Sequence, residues 1–177
     1  MNISSLIRNV PDYPIPGIIF KDITTLLKNG EGFRFTINEF VNRYKEIQLD
    51  KIVGIESRGF IFGSALAFEL GIGFVPVRKK GKLPAETVGY DYSLEYGKDR
   101  VEIHLDAIEK GERVLLIDDL IATGGTANAT IQLIEMVGGI IVEACFVIDL
   151  PFLGGSNLIK ETGHKVFSLC EYDSEHE

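Results

Sequence analysis

Short apolar runs alternate with longer segments of helical period along this chain. The run Ile52-Val53-Gly54-Ile55 reads as a strand, and 60–70 after it carries Ile61, Ala65 and Phe68 at helical spacing. Gly71 is placed to cap that helix, and 72–77, bounded by glycine and a basic cluster, predicts the next strand. The alternation returns with apolar 114–117, a helix over 124–137 with Ala127, Ile131 and Ile134 on one face, and a strand over 140–148. Repeated strand-helix-strand units predict an α/β fold with a mostly parallel central sheet flanked by helices. No internal repeat interrupts them, and 177 residues fit a single domain.

Two segments stand outside the alternation. The stretch 11–27 holds Pro11, Pro14 and Pro16 among apolar residues and reads as a small cap; Ile37, Phe40, Val41 and Tyr44 then share one face of a helix over 33–47. The stretch 83–100 carries Gly89, Gly97 and three tyrosines with few contiguous apolar residues, so a flexible lid loop is expected there. Ligands of open parallel sheets gather beyond the carboxyl ends of the strands. The positions after Ile55, Val77, Ile117 and Ile148 should therefore line one crevice.

Composition narrows the function classes. Ordinary hydrophobic (45%) and charged (25%) shares exclude disorder and collagen-like structure. Eighteen Lys plus Arg against 26 Asp plus Glu leave a net charge of −8, which argues against nucleic acid or an anionic membrane as a default partner. The N-terminus lacks the apolar core of a signal peptide, and apolar stretches such as 137–142 fall far short of the roughly 18 residues of a membrane span. Cys145 and Cys170 sit in apolar runs, as buried free thiols do, which fits a reducing, cytoplasmic location. His104, His164 and His176 show no metal-ligand spacing and read as surface or structural residues.

The chemistry concentrates after the strand at 114–117, where Asp118-Asp119-Leu120-Ile121-Ala122-Thr123-Gly124-Gly125-Thr126 runs straight into a helix. Two glycines let the backbone approach an anion, threonine hydroxyls add donors, and the helix N-terminus turns unpaired N–H groups toward the same point. That is a phosphate cradle. The carboxylates before it would repel phosphate and suit sugar hydroxyls or a cation-bearing ligand instead, so a phosphorylated sugar satisfies both halves. A P-loop is excluded because Phe60 stands where the glycine spacing from Gly54 to Gly59 would need lysine, and no GxGxxG occurs.

This segment, 116–127, resembles the signature of the type I phosphoribosyltransferases, which bind 5-phosphoribosyl 1-diphosphate, and its Ala-Thr-Gly-Gly-Thr form is similar to that of the adenine-using members. Four further segments resemble the same members in the same order: Pro14-Ile15-Pro16-Gly17-Ile18-Ile19-Phe20-Lys21-Asp22, Glu56-Ser57-Arg58-Gly59-Phe60, Arg78-Lys79-Lys80-Gly81-Lys82-Leu83-Pro84 and Tyr92-Ser93-Leu94-Glu95-Tyr96-Gly97. Nearly the whole chain is covered. Lys21 and Glu56 stand where some relatives carry Arg and Asp.

The resemblance implies a type I phosphoribosyltransferase fold with a base-binding hood over about 1–30 and a lid over about 83–100. It implies transfer of the phosphoribosyl group to N9 of adenine, giving AMP and diphosphate, by a homodimer. Ala122, Thr123, Gly124, Gly125 and Thr126 would hold the 5-phosphate, and Asp118 and Asp119 the ribose hydroxyls. Ser57, Arg58, Arg78, Lys79, Lys82 and Tyr96 would hold the diphosphate, and Ile19, Phe20, Lys21 and Leu150 the base. Glu95 would be catalytic, and Mg2+ would ride on the substrate rather than on protein ligands.

Each assignment has a plainer rival. The basic run at 78–82 could be a solvated loop, although a polyanion approaching an acidic protein needs a local positive field. Ser57 could simply cap a helix, whereas the resemblance implies a diphosphate loop with a cis Glu56-Ser57 peptide. Ile18, Phe20 and Leu150 could be core, and Glu95 and Tyr96 an exposed acidic loop. Two other functions compete: transfer to another purine such as xanthine or hypoxanthine, and a non-catalytic regulator sensing the diphosphate sugar. The second would need a nucleic-acid-binding surface.

Overall fold

The computed structural model describes residues 1–94 and 97–174. The N-terminal cap is a small antiparallel pair, β1 (Arg8–Pro11) and β2 (Ile19–Asp22), followed by the one-turn α1 (Thr24–Leu27). Then come α2 (Gly30–Tyr44), β3 (Lys51–Ile55), α3 (Arg58–Leu70) and β4 (Gly73–Lys79). An antiparallel hairpin of β5 (Thr87–Leu94) and β6 (Gly97–His104) precedes β7 (Arg113–Ile121), α4 (Gly125–Met136), β8 (Ile140–Asp149), α5 (Gly155–Glu161) and β9 (Val166–Glu171).

The main sheet runs β5-β6-β4-β3-β7-β8-β9. The five strands from β4 to β9 are mutually parallel, and the hairpin is added antiparallel to β4 through Arg78 and Lys79. The predicted mostly parallel sheet is therefore present. Because a pleated strand sends successive side chains to opposite faces, β7 feeds two cores. Leu115 and Ile117 pack with α2, α3 and the cap, while Val114 and Leu116 pack with α4 and the hairpin.

Three expectations change. The stretch expected as a loop is mostly strand: Tyr90, Tyr92 and Val88 pack against α4 and supply apolar contact at every second residue, a period masked by the glycines and charges between them. The stripe of Ile61, Ala65 and Phe68 does not face the sheet. Gly59, Phe62, Gly63, Leu66 and Ala67 are buried instead, and Phe68 is 84% exposed. Apolar residues line both sides of α3, so spacing alone could not choose the inner one. Finally, α5 and β9 complete the sheet edge beyond 150, where alternation was not followed; every residue of β9 is half-buried or exposed, which weakens its apolar signal. The helix faces of α2 and α4 stand as predicted, and Gly71 occupies the C-cap of α3.

Candidate active site

All five parallel strands end at the same edge, and the ends of β3, β4 and β7 meet the N-terminus of α4 around one crevice. Ile55, Glu56, Lys79, Asp118, Leu120 and the whole turn from Ile121 to Ala127 line it. Three of the four predicted strand ends thus converge there; the fourth, Leu150, is buried beside them in the core and donates its N–H to the Ile121 carbonyl at 3.0 Å.

The cradle owes its shape to close backbone approach. Gly124 has φ +81, and a Cβ on it would lie 2.8 Å from Gly155 Cα. A Cβ on Gly155 would in turn lie 2.4 Å from the Ala122 carbonyl oxygen and 2.6 Å from Gly124 N. The Gly155 N–H donates to that carbonyl at 2.9 Å, so the first turn of α5 braces the turn from Ala122 to Thr126. Sequence reasoning missed Gly155; the Gly154-Gly155 pair was its signal.

The pleat separates the two carboxylates. Asp118 faces the crevice, and Asp119 faces the side where Arg58 and the N-terminal cap lie. Arg58 Nε lies 2.8 Å from Asp119 Oδ2, and its guanidinium sits 5.6 Å from the Phe20 ring, which packs edge-on against Tyr13. Burial pushes the Asp118 carboxyl well above the usual carboxylate range, and its negative neighbour Asp119 adds to this. Burial raises Asp119 too, against the opposing pull of Arg58. Room for Asp118 comes from Gly59, where a Cβ would stand 2.8 Å from Asp118 Oδ1.

The peptide between Glu56 and Ser57 is cis, as the resemblance implied. Ser57 precedes α3 but makes no side-chain cap hydrogen bond and is exposed, so the plain capping role fails. Glu56, which was not chosen from the sequence, organises the neighbouring strand end: it pairs with Arg78 Nε at 2.9 Å and accepts the Lys79 N–H at 2.9 Å. The predicted cations therefore do not pool. Arg58 goes to Asp119, Arg78 to Glu56 and Lys79 to Asp99, while Lys82 lies exposed in the loop beyond β4. Burial disfavours the Lys79 charge, but Asp99 and Tyr92 outweigh it and hold this ammonium above its ordinary range.

In the cap, Ile19 and Phe20 are half-buried. Lys21 is 4% exposed, with its ammonium 2.9 Å from Asn9 Oδ1 and 3.9 Å from the centre of the Tyr172 ring. Its side chain therefore points away from Phe20. Glu95 and Tyr96, and also His176, lie outside the described residues. His164 bridges Thr162 and Glu135, and His104 accepts the Ala85 N–H, which matches structural roles. Cys145 is buried and Cys170 half-buried, and both are free thiols pushed up by burial, Cys170 to about 11.

A glycine-rich turn at the helix start, carboxylates at the strand end and a hairpin at the sheet edge define a class, and the chain belongs to the phosphoribosyl transferase domain family, whose model matches residues 24–167. Within it, the similarity runs to adenine phosphoribosyltransferases. The chain is 61% identical to the adenine phosphoribosyltransferase of Nitrosomonas europaea over 173 residues, covering 98% of this chain and 99% of that one. The crystal structure of the Thermoanaerobacter pseudethanolicus adenine phosphoribosyltransferase superposes with a TM-score of 0.91 at 48% identity, covering 96% and 98% of the two chains. The Saccharomyces cerevisiae adenine phosphoribosyltransferase, solved with D-2,5-dideoxy-2,5-imino-altritol 1,6-bisphosphate and adenine, gives 0.89 at 41%, covering 95% and 96%.

Proposed function

We propose that the chain transfers the 5-phosphoribosyl group from 5-phosphoribosyl 1-diphosphate to N9 of adenine, forming AMP and diphosphate. The observation that carries this is the braced turn from Ala122 to Thr126 at the start of α4, sharing one crevice with Asp118. Backbone N–H groups and the helix dipole bind the 5-phosphate there, and Asp118 accepts from the ribose hydroxyls. Asp119 holds Arg58 toward Phe20, placing a cation between the ribose site and the base slot.

Adenine stacks on Phe20 beside Ile19, with Leu150 behind, and Lys21 contributes through its main chain because its ammonium is taken up elsewhere. As N9 bonds to C1 of the ribose, the bond from C1 to the diphosphate oxygen breaks, and Glu95 stabilises the cationic sugar or takes the proton from the base. Ser57, Arg58, Arg78, Lys79, Lys82 and Tyr96 receive the diphosphate, Arg58 through its Nη groups while its Nε stays on Asp119. Closure of the hairpin keeps water from the activated sugar.

The residues present suit a Mg2+ ion that arrives with the substrate: Glu56 and Asp118 both line the crevice, yet among the described residues no three His, Cys, Asp or Glu side chains form a metal cluster. Bound to the diphosphate, the ion would neutralise charge on the leaving oxygens. Among those residues no helix is long and apolar enough to cross a membrane, and the free thiols fit a reducing cytoplasm. The outward stripe of α3, with Ile61 and Phe68, borders a groove with Phe33 and Ile37 of α2, and this apolar face supports a homodimer. Sedimentation of the Phe68→Arg variant as a monomer, against a dimeric parent, is the expected result.

The deciding assay combines adenine, the diphosphate sugar and Mg2+ and follows diphosphate release. Adenine should be used in strong preference to xanthine or hypoxanthine. Turnover confined to another purine would replace the base assignment, and nucleic-acid binding without turnover would replace the enzyme.

A further inference from the structure

We infer that Tyr92 is a positioning residue that couples the 5-phosphate cradle to the β5–β6 hairpin through its hydroxyl, which lies 3.0 Å from Thr126 Oγ1 and 3.0 Å from Lys79 Nζ. This deepens the proposed transfer and rests on the reading of Ala122 to Thr126 as a phosphate site. Tyr92 is half-buried, pairs with Asp99 across the hairpin, and lays its ring against Gly125, where a Cβ would be 3.8 Å from Tyr92 Cδ2. Three parts of the molecule therefore meet at one oxygen: the hairpin, the end of β4 and the first turn of α4.

Proton counting gives the contact a direction. The Lys79 ammonium donates to the Tyr92 oxygen and to Asp99, so Tyr92 keeps one proton to donate. Two acceptors compete for it, Asp99 Oδ2 at 3.2 Å and Thr126 Oγ1 at 3.0 Å. When the Thr126 hydroxyl donates to a phosphate in the cradle, its oxygen becomes a better acceptor, because chained hydrogen bonds polarise one another. The Tyr92 proton then turns to Thr126, and Asp99 is left to the Lys79 ammonium. Phosphate binding thereby ties the hairpin to the cradle, and by linkage a tied hairpin holds the phosphate more tightly.

The test uses the full-length protein, with ribose 5-phosphate as the probe and hydrogen exchange of the hairpin amides as a readout independent of turnover. Saturating ribose 5-phosphate should slow exchange across β5 and β6 of the parent about tenfold. In Tyr92→Phe, which keeps the ring on Gly125, the probe should still bind within about tenfold, the slowing should vanish, and kcat should fall about tenfold with little change in KM for the diphosphate sugar. Thr126→Val should reproduce the lost slowing and Thr126→Ser should restore it, which keeps the inference testable even where Tyr92→Phe folds poorly. Undiminished slowing in Tyr92→Phe or Thr126→Val, or binding of the probe by the parent without any slowing, overturns the coupling. A parent that binds ribose 5-phosphate but makes no AMP from adenine overturns the transfer reading alone, and one that cannot bind the probe overturns the cradle.

Discussion

The strand that carries the cradle, β7, and the outer hairpin strand beside the crevice, β5, are built from different materials. In β7, Val114, Leu115, Leu116 and Ile117 are all fully buried between β3 and β8, and apolar contact fills both faces. In β5 no residue is fully buried; Val101 and Ile103 of β6 anchor the hairpin in the core, and charge pairs are added around them, Arg100 reaching Glu102 at 2.9 Å and Asp91 at 3.2 Å and Lys79 reaching Asp99. Apolar burial close-packed on both sides holds a backbone in one place. Partly exposed ion pairs each contribute little and are screened by salt, so they hold the outer strand β5 less firmly than apolar burial holds β7. The proposed transfer, in which a phosphate is held still while the hairpin covers the sugar, would use both.

That contrast can be broken in four ways. The largest effect is expected at the proposed catalytic residue: Glu95→Gln should lower kcat by roughly 100-fold or more while leaving the melting temperature and sugar binding nearly unchanged, as single-turnover kinetics and thermal unfolding will report. Gly155→Ala should do the reverse kind of damage, since its methyl group meets backbone at 2.4 Å; stability should drop by about 2 kcal/mol and ribose 5-phosphate affinity should fall together with it, read by urea unfolding and calorimetry.

Asp118→Asn should separate function from stability within the cradle. Because its carboxyl is raised above 3.8, the folded state keeps the proton where the unfolded chain has lost it, so stability falls as pH rises from near 3.8 through the raised value and then levels. The amide removes that penalty. Unfolding at pH 8 should show a gain of about 1 kcal/mol, shrinking toward pH 4, alongside weaker binding of the diphosphate sugar. The smallest change is expected at Asp91→Asn on the hairpin, where an exposed pair with Arg100 is lost: about 0.5 kcal/mol or less, detectable as faster amide exchange in β5 at low salt and no difference at high salt. A drop as large as that of Gly155→Ala would end the distinction between the two regions.

Much of the parallel core was legible because β3, β4 and the first half of β7 carry short apolar runs and because α2 and α4 each have a single clear apolar face. The turn before α4 was legible because its residue types have a local physical reason to be adjacent. The hairpin was not, since its alternation is diluted by glycine and charge, and α3 misled because Ile61 and Phe68 are apolar yet face outward. The roles of Glu56, Tyr92, Asp99 and Gly155 were not legible for a shared reason: each acts on a residue far away in the chain, Glu56 on Arg78, Tyr92 on Thr126, Asp99 on Lys79 and Gly155 on Ala122.

By itself, then, the order of residues determined the alternating layers and the glycine turn at the start of α4, because periodicity, helix starts and glycine turns are short-range properties of the chain. Tertiary structure alone decided how the charges are divided. Asp118 and Asp119 are neighbours in sequence, but the pleat sends one to the phosphate crevice and the other to Arg58 beside the cap. The basic residues, close together in sequence at 78–82, are parted by the carboxylates they meet. Coulomb partners depend on distance in space and on burial, and neither is fixed until the strands are paired and the helices are laid across them.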